Sequence, residues 1–212
     1  MQTKKKKRIA YNQANILDAA KELFQVNGVL RTTVDEIART ADCSKATIYV
    51  YFQNKDDIYY HIVLEYMTVL RDGVKDCFSG ATDYERAYFS LCDMLVQFEK
   101  NYPLYFECIL GNISVEQKKM EELPVLKSIF DVGEEINAIV CQFLERAKMD
   151  GFIRVDVQPL QATFVMWSSI CSLISLYSNK QTYLENSLEM KQEEFLNYGF
   201  TMILRMVANG GK

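Results

Sequence analysis

Residues 33–55 read TVDEIARTADCSKATIYVYFQNK, and this stretch decides the fold. Thr33 is a good N-cap, and Glu36 stands three positions later, where the two side chains can cap each other's orphan amides. Val34, Ile37, Ala38 and Ala41 then recur at i, i+3, i+4 and i+7, which is one apolar helix face. Ala41-Asp42-Cys43-Ser44 makes a four-residue turn that ends in a second N-cap, Ser44. Lys45, Ala46 and Thr47 open a second helix whose Ile48 and Phe52 face inward. Lys45, Thr47, Tyr49, Val50 and Tyr51 are left on its outer arc. That arc carries donors and aromatic hydroxyls but no carboxylate, which suits a surface laid against phosphates and base edges. The pattern predicts a helix-turn-helix whose second helix is the reader.

Outward from this motif, the spacing predicts a bracing helix from about Ile9 to Asn27. Ile16, Ala20, Leu23 and Phe24 form its buried stripe, and Gly28 stands at the C′ position. Ahead of it, residues 1–8 include KKKKR and are expected to be a basic arm that adds generic attraction for phosphates. Beyond the motif, Lys55-Asp56-Asp57 opens a helix with acids in its first turn, expected to end near Ser79-Gly80. Residues 1–55 hold ten Lys/Arg against five Asp/Glu, a balance of +5; residues 56–212 hold fourteen against twenty-three, a balance of −9. The net charge of −4 therefore conceals a basic head on an acidic body.

The body reads as further helices. They are expected over Tyr84 to Tyr102, about Leu104 to Ile113, and Pro124 to Met149 with Phe130, Ile136, Ile139, Val140, Phe143 and Leu144 inward. Charged Glu116 to Glu122 is expected to be a solvated link or a helix end. From Val157 to Asn179 there is no charged residue over 23 positions, long enough in principle to cross a bilayer. Gln158, Pro159, Gln161, Thr163, Asn179 and five serines in that run argue against a membrane span. A core on one face and a subunit partner on the other would cover such a helix. A last helix is expected from about Leu184 to Val207, with Asn209 to Lys212 as a frayed end. At 212 residues and 49% apolar content the chain can bury a sizeable core. Six scattered cysteines with no CxxC pair read as reduced, buried hydrophobes of a cytoplasmic protein. The single histidine, His61, has no ligand cluster near it in sequence, so neither a metal nor a cofactor is expected.

Thr32-Thr33, Ile37-Ala38, Ser44-Lys45, Tyr49-Val50-Tyr51-Phe52 and Lys55 together resemble the TetR family of bacterial helix-turn-helix transcriptional regulators. The match covers roughly the first quarter of the chain. It departs from the family pattern at Asp42, where a turn Gly is frequent, at Ala46, which replaces a small Gly, and at Tyr51, which replaces a His. The resemblance implies an all-α fold: an N-terminal three-helix DNA-binding head over residues 1–55, then a helical ligand-binding and dimerisation domain over residues 56–212. It implies a homodimer, a double-stranded DNA operator and a small-molecule effector. Ser44, Lys45, Ala46 and Thr47 would approach DNA, with Lys45 and Thr47 at base edges. Thr33, Tyr49, Tyr51 and Lys55 would hold phosphates. Candidate pocket residues are His61, Glu65, Tyr88, Cys92, Tyr105, Phe106, Ile109, Phe164, Trp167 and Cys171, a lining suited to an apolar or amphipathic guest such as a drug-like compound or an acyl chain. Phe195, Gly199, Met202 and Met206 are the expected dimer contacts on the last helix.

Two other classes compete with this reading. An enzyme would need gathered titratable groups, and the sequence has one His, no GxSxG, no P-loop and no HExxH. A protein of the same fold acting mainly through protein partners, with DNA secondary, is the remaining alternative, against which Ser44-Lys45 and Tyr49 weigh.

Overall fold

The computed structural model describes residues 2–107 and 117–210. They are all-α: α1 Gln2–Asn27, α2 Val34–Thr40, α3 Lys45–Tyr51, α4 Lys55–Phe78, α5 Tyr84–Asn101, α6 Pro103–Phe106, α7 Gln117–Glu122, α8 Pro124–Met149, α9 Pro159–Leu188 and α10 Gln192–Arg205. The described residues of Met1–Tyr66 and Ser114–Phe130 form one compact unit, and those of Met67–Ile113 and Asp131–Lys212 another.

In the first unit, α1 buries Ile16, Leu17, Ala19, Ala20 and Phe24, one stripe at helical spacing. Leu23, expected in that stripe, is half-buried. Gly28 ends the helix in the left-handed region at φ +79, its N–H on the Phe24 carbonyl at 2.9 Å. Buried Thr32 donates its hydroxyl to the Gly28 carbonyl at 2.9 Å, which fixes the path from α1 into the motif. The expected arm is instead helical from Gln2 onward. Lys and Arg are good helix formers, and no Gly or Pro interrupts the run; the few tenths of a kcal/mol that each like-charge pair costs do not offset this.

In the second unit, α5 buries Tyr88, Leu91, Cys92, Leu95 and Phe98. The Tyr88 hydroxyl donates to the Phe200 carbonyl at 2.9 Å and so ties α5 to α10. Phe78 stacks on Phe143 at 3.9 Å between ring centroids. Residues 117–122, expected as a link or helix end, form α7 of the first unit. On α8 the buried stripe is Leu126, Ile129, Val132, Ile136, Val140, Phe143 and Leu144. Phe130 lies off that stripe and is 38% exposed, which corrects its expected inward position; the Lys127 ammonium sits over its ring.

The boundary between the last two helices also differs from expectation. Leu184 to Leu188 belongs to α9, whose last turns are anchored where Glu185 accepts hydrogen bonds from Tyr177 at 2.6 Å and Gln181 at 3.1 Å. Glu189 then turns the chain at φ +52, and the Lys191 N–H on Glu194 at 3.0 Å starts α10. The uncharged run has one buried face, with Met166, Ile170, Cys171, Ile174 and Tyr177, and one exposed face, with Phe164, Val165 and Leu176. A β-carbon on Gly199 would stand 2.2 Å from Leu173 Cδ2, so the Leu173 side chain of α9 fills the space this glycine leaves open on α10. Asn209, expected to fray, is tied down: its N–H donates to Phe152 O at 2.9 Å and its side-chain amide to Gly151 O at 2.7 Å.

Candidate nucleic-acid interface

Two caps and one strained turn hold the motif. The Thr33 N–H donates to Glu36 at 2.7 Å while the Glu36 N–H donates to the Thr33 hydroxyl at 3.3 Å, closing the capping box of α2. Those bonds to Thr33 hold the Glu36 carboxyl below its ordinary pKa. Asp42 takes the left-handed conformation at φ +47, which Asp adopts at less cost than most side chains. The Ser44 hydroxyl accepts from Thr47 N at 3.1 Å and caps α3. Ile37, Ile48 and Phe52 are fully buried beneath the two helices. From α1, Asn15 donates to the Ala41 carbonyl in the turn at 2.6 Å, and Asn12 donates to the Tyr51 hydroxyl at 2.9 Å. α3 is thus fastened at both ends.

Ser44, Lys45, Ala46, Tyr49 and Val50 stand exposed along α3, and Thr33 is exposed at the start of α2. Thr47 is half-buried with its hydroxyl 2.8 Å from that of Ser44. Tyr51 is half-buried, and its hydroxyl, accepting from Asn12, keeps its own proton for an outside acceptor. The Lys45 ammonium is paired with Asp35 of α2 at 2.9 Å. Lys55 is placed differently from the expectation that it holds a phosphate. Its ammonium donates to the carbonyls of Val29 at 2.7 Å, Leu30 at 3.2 Å and Thr32 at 2.8 Å. All three donors of the ammonium are thereby engaged, so Lys55 ties the start of α4 to the loop between α1 and α2. Lys55→Met is expected to destabilise the chain by roughly 1.5 kcal/mol, the usual worth of a charged hydrogen-bond donor. A urea midpoint equal to the wild type would contradict this anchoring role.

Asp35, Asn12 and Asn15 were not singled out by sequence reasoning. Asp35 reads locally as a first-turn acid complementing the macrodipole, and nothing in the sequence marks two asparagines on α1 as partners of a turn carbonyl 26 residues away and of a tyrosine hydroxyl 39 residues away.

The other candidates divide between the two units. In the first, the Nδ1 atom of His61 lies 2.9 Å from the Asp57 carbonyl oxygen and 3.2 Å from its carboxylate, with the ring edge-on to Phe52. Glu65 is paired with Lys21 at 2.7 Å. In the second, Tyr88, Cys92, Tyr105, Phe106 and Cys171 are buried, Trp167 is half-buried and Phe164 is 53% exposed. Burial pushes both the Cys92 and Cys171 thiols up, Cys171 to about 12, so both are neutral thiols at physiological pH. Ile109 lies outside the described residues. None of these candidates lines the groove of about 1250 Å³ between α5, the end of α9 and the start of α10, whose walls include Phe89, Val96, Glu189, Met190, Leu196 and Phe200. Of the expected dimer contacts, Phe195 and Gly199 are half-buried, the Phe195 ring 5.8 Å from that of Tyr177 and Gly199 against Leu173. Met202 and Met206 are exposed, with Tyr198 beside them. No cluster of potential metal ligands occurs among the described residues.

Residues 16–62, which contain the capped motif and the second half of its bracing helix, match the model of the bacterial regulatory proteins of the tetR family. These residues form a helix-turn-helix of the tetR family type. The chain is 25% identical to the HTH-type transcriptional regulator YhgD of Bacillus subtilis over 133 residues, 58% of the chain and 70% of YhgD. It is 43% identical to the Fatty acid metabolism regulator protein of Bacillus subtilis over 63 residues, 30% of the chain but 31% of that protein. In fold it is similar to the transcriptional regulator FadR from Bacillus subtilis, solved in complex with stearoyl-CoA. The TM-score is 0.67 at 16% identity, covering 94% of this chain and 99% of that one. The head of the chain is thus similar to that of the bacterial regulators of the tetR family, and the described residues share the all-α fold of the solved regulator.

Proposed function

We propose that the protein is a homodimeric, cytoplasmic repressor that binds a pseudo-palindromic duplex operator through α3 and is released by a small amphipathic molecule carrying an acyl chain. The observation that carries the reading is the exposed face of α3, with Lys45, Ala46 and Tyr49 outward on a motif capped at both helix starts. Lys45 and Thr47 are assigned to base edges, and Thr33, Ser44, Tyr49 and Tyr51 to phosphates, which position the head without reading sequence. The basic balance of the first 55 residues supports the approach to DNA. The exposed apolar residues of α9 and α10, namely Phe164, Val165, Leu176, Tyr198, Met202 and Met206, support a two-fold pairing of subunits.

The effector class rests on two similarities: the head to a fatty acid metabolism regulator, and the fold to a regulator solved with stearoyl-CoA. A guest shifts the protein away from DNA only by binding the released state more tightly than the DNA-competent one. The test is the fluorescence anisotropy of a labelled duplex selected by the protein, titrated with stearoyl-CoA, free stearate and coenzyme A. Release by the acyl compounds and not by coenzyme A is expected. Duplex binding indifferent to all three would remove the acyl effector.

A further inference from the structure

Lys45 is the sole basic residue on α3, whose sequence is KATIYVY. In this structure it does not stand alone: its ammonium lies 2.9 Å from the Asp35 carboxylate at the start of α2. Both side chains are open to solvent, 49% and 64% exposed, so burial does not hold the pair. Two capped helix starts bring the groups together: Asp35 is in the first turn of α2 and Lys45 in the first turn of α3. The neighbouring acid, Glu36, is committed to Thr33 through its N–H and its hydroxyl. Asp35 is therefore the carboxylate that answers Lys45, and it does so on the surface assigned to DNA.

The pair sets a condition on contact. Duplex DNA attracts any exposed cation through its phosphates, whatever the sequence. A lysine already neutralised by a carboxylate gains little from a phosphate, and the carboxylate is itself repelled. A guanine edge offers two acceptors in the major groove, O6 and N7, and can compensate for leaving the carboxylate. We propose that Asp35 is a specificity-determining residue of the reading head: by holding Lys45 in an ion pair, it suppresses binding to random DNA and lets the lysine go only to a base edge that replaces the carboxylate. This rests on the DNA-binding reading above and adds to it a repulsive element of the kind that discrimination requires.

The test compares the wild type with Asp35→Asn, Asp35→Glu, Lys45→Ala and the Asp35→Asn/Lys45→Ala double variant. The probes are a duplex selected by the wild type from a randomised pool and a scrambled duplex of the same length, each measured across a series of salt concentrations. Circular dichroism verifies that each variant is folded. Asp35→Asn is expected to tighten binding to the scrambled duplex by about threefold to tenfold while changing the selected duplex less, so that the ratio between them falls. Its salt dependence should steepen by close to one phosphate contact, a slope change of about 0.9. Asp35→Glu, which keeps the charge, should retain the wild-type ratio, and the effect of Asp35→Asn should vanish in the Lys45→Ala background. An unchanged ratio in Asp35→Asn, or an equal effect with and without Lys45, would overturn the proposal while leaving DNA binding intact. Failure of the wild type itself to select any duplex would overturn the DNA-binding reading and this proposal with it.

Discussion

Phe24→Ala is expected to lower the stability of the head by about 3–5 kcal/mol, the cost of emptying a fully buried Phe site. Phe24 is 1% exposed on α1, and its ring meets Tyr59 of α4 edge-on at 6.1 Å between centroids. Around it lie the positions that let a helix-turn-helix fold at all: α2 and α3 are seven residues each and bury chiefly Ile37, Ala38 and Ile48. Two helices of that length cannot offset their own conformational entropy without a brace. The loss should appear as a shift of the urea midpoint, a large fraction of the 5–15 kcal/mol by which domains are typically stable. Below that midpoint the variant should keep the wild-type order of preference among duplexes, because no α3 contact has changed. Wild-type stability in the variant would show that α1 does not brace the motif through this stripe.

Lys45→Ala is the second large effect, and it lies in recognition rather than in stability. The side chain is exposed, so its removal should leave the melting curve nearly unchanged. Binding to the selected duplex should weaken by roughly tenfold to a hundredfold, the worth of one base-edge contact, and discrimination against scrambled DNA should fall with it. Tyr49→Phe provides the contrast. It removes a hydroxyl assigned to phosphate and should weaken all duplexes alike. Competition gel shifts in which Lys45→Ala retains full specificity would move base reading elsewhere on the head.

How much of this was legible in the sequence depends on the range of each interaction. The capping box, the turn at Asp42 and the inward pair Ile48 and Phe52 are set by residues within a few positions of one another, and the structure has them where periodicity and capping place them. The break between α9 and α10 was not legible. The chain turns there at Glu189, a left-handed residue that is neither Gly nor Asn, so the usual stop signal is missing. Lys55 was misread because its partners are carbonyls 23 to 26 residues upstream. A lysine reaching backbone acceptors looks, in sequence, like a lysine reaching phosphate. Gly199 was legible as a site of close helix approach, but the element it admits is the chain's own Leu173. Phe130 shows the limit of an apolar residue read singly: it sits one position past Ile129 and so turns about 100° away from the buried stripe of α8.

On this reading the basic head presents Lys45 to Tyr51 to a groove of duplex DNA. The most direct measurement is selection of duplexes from a randomised pool by the full chain at low ionic strength, followed by sequencing. Enrichment of a two-fold symmetric site, with half-sites about one helical turn apart or somewhat more, is the predicted result. A pool that emerges with no preferred double-stranded sequence would contradict it.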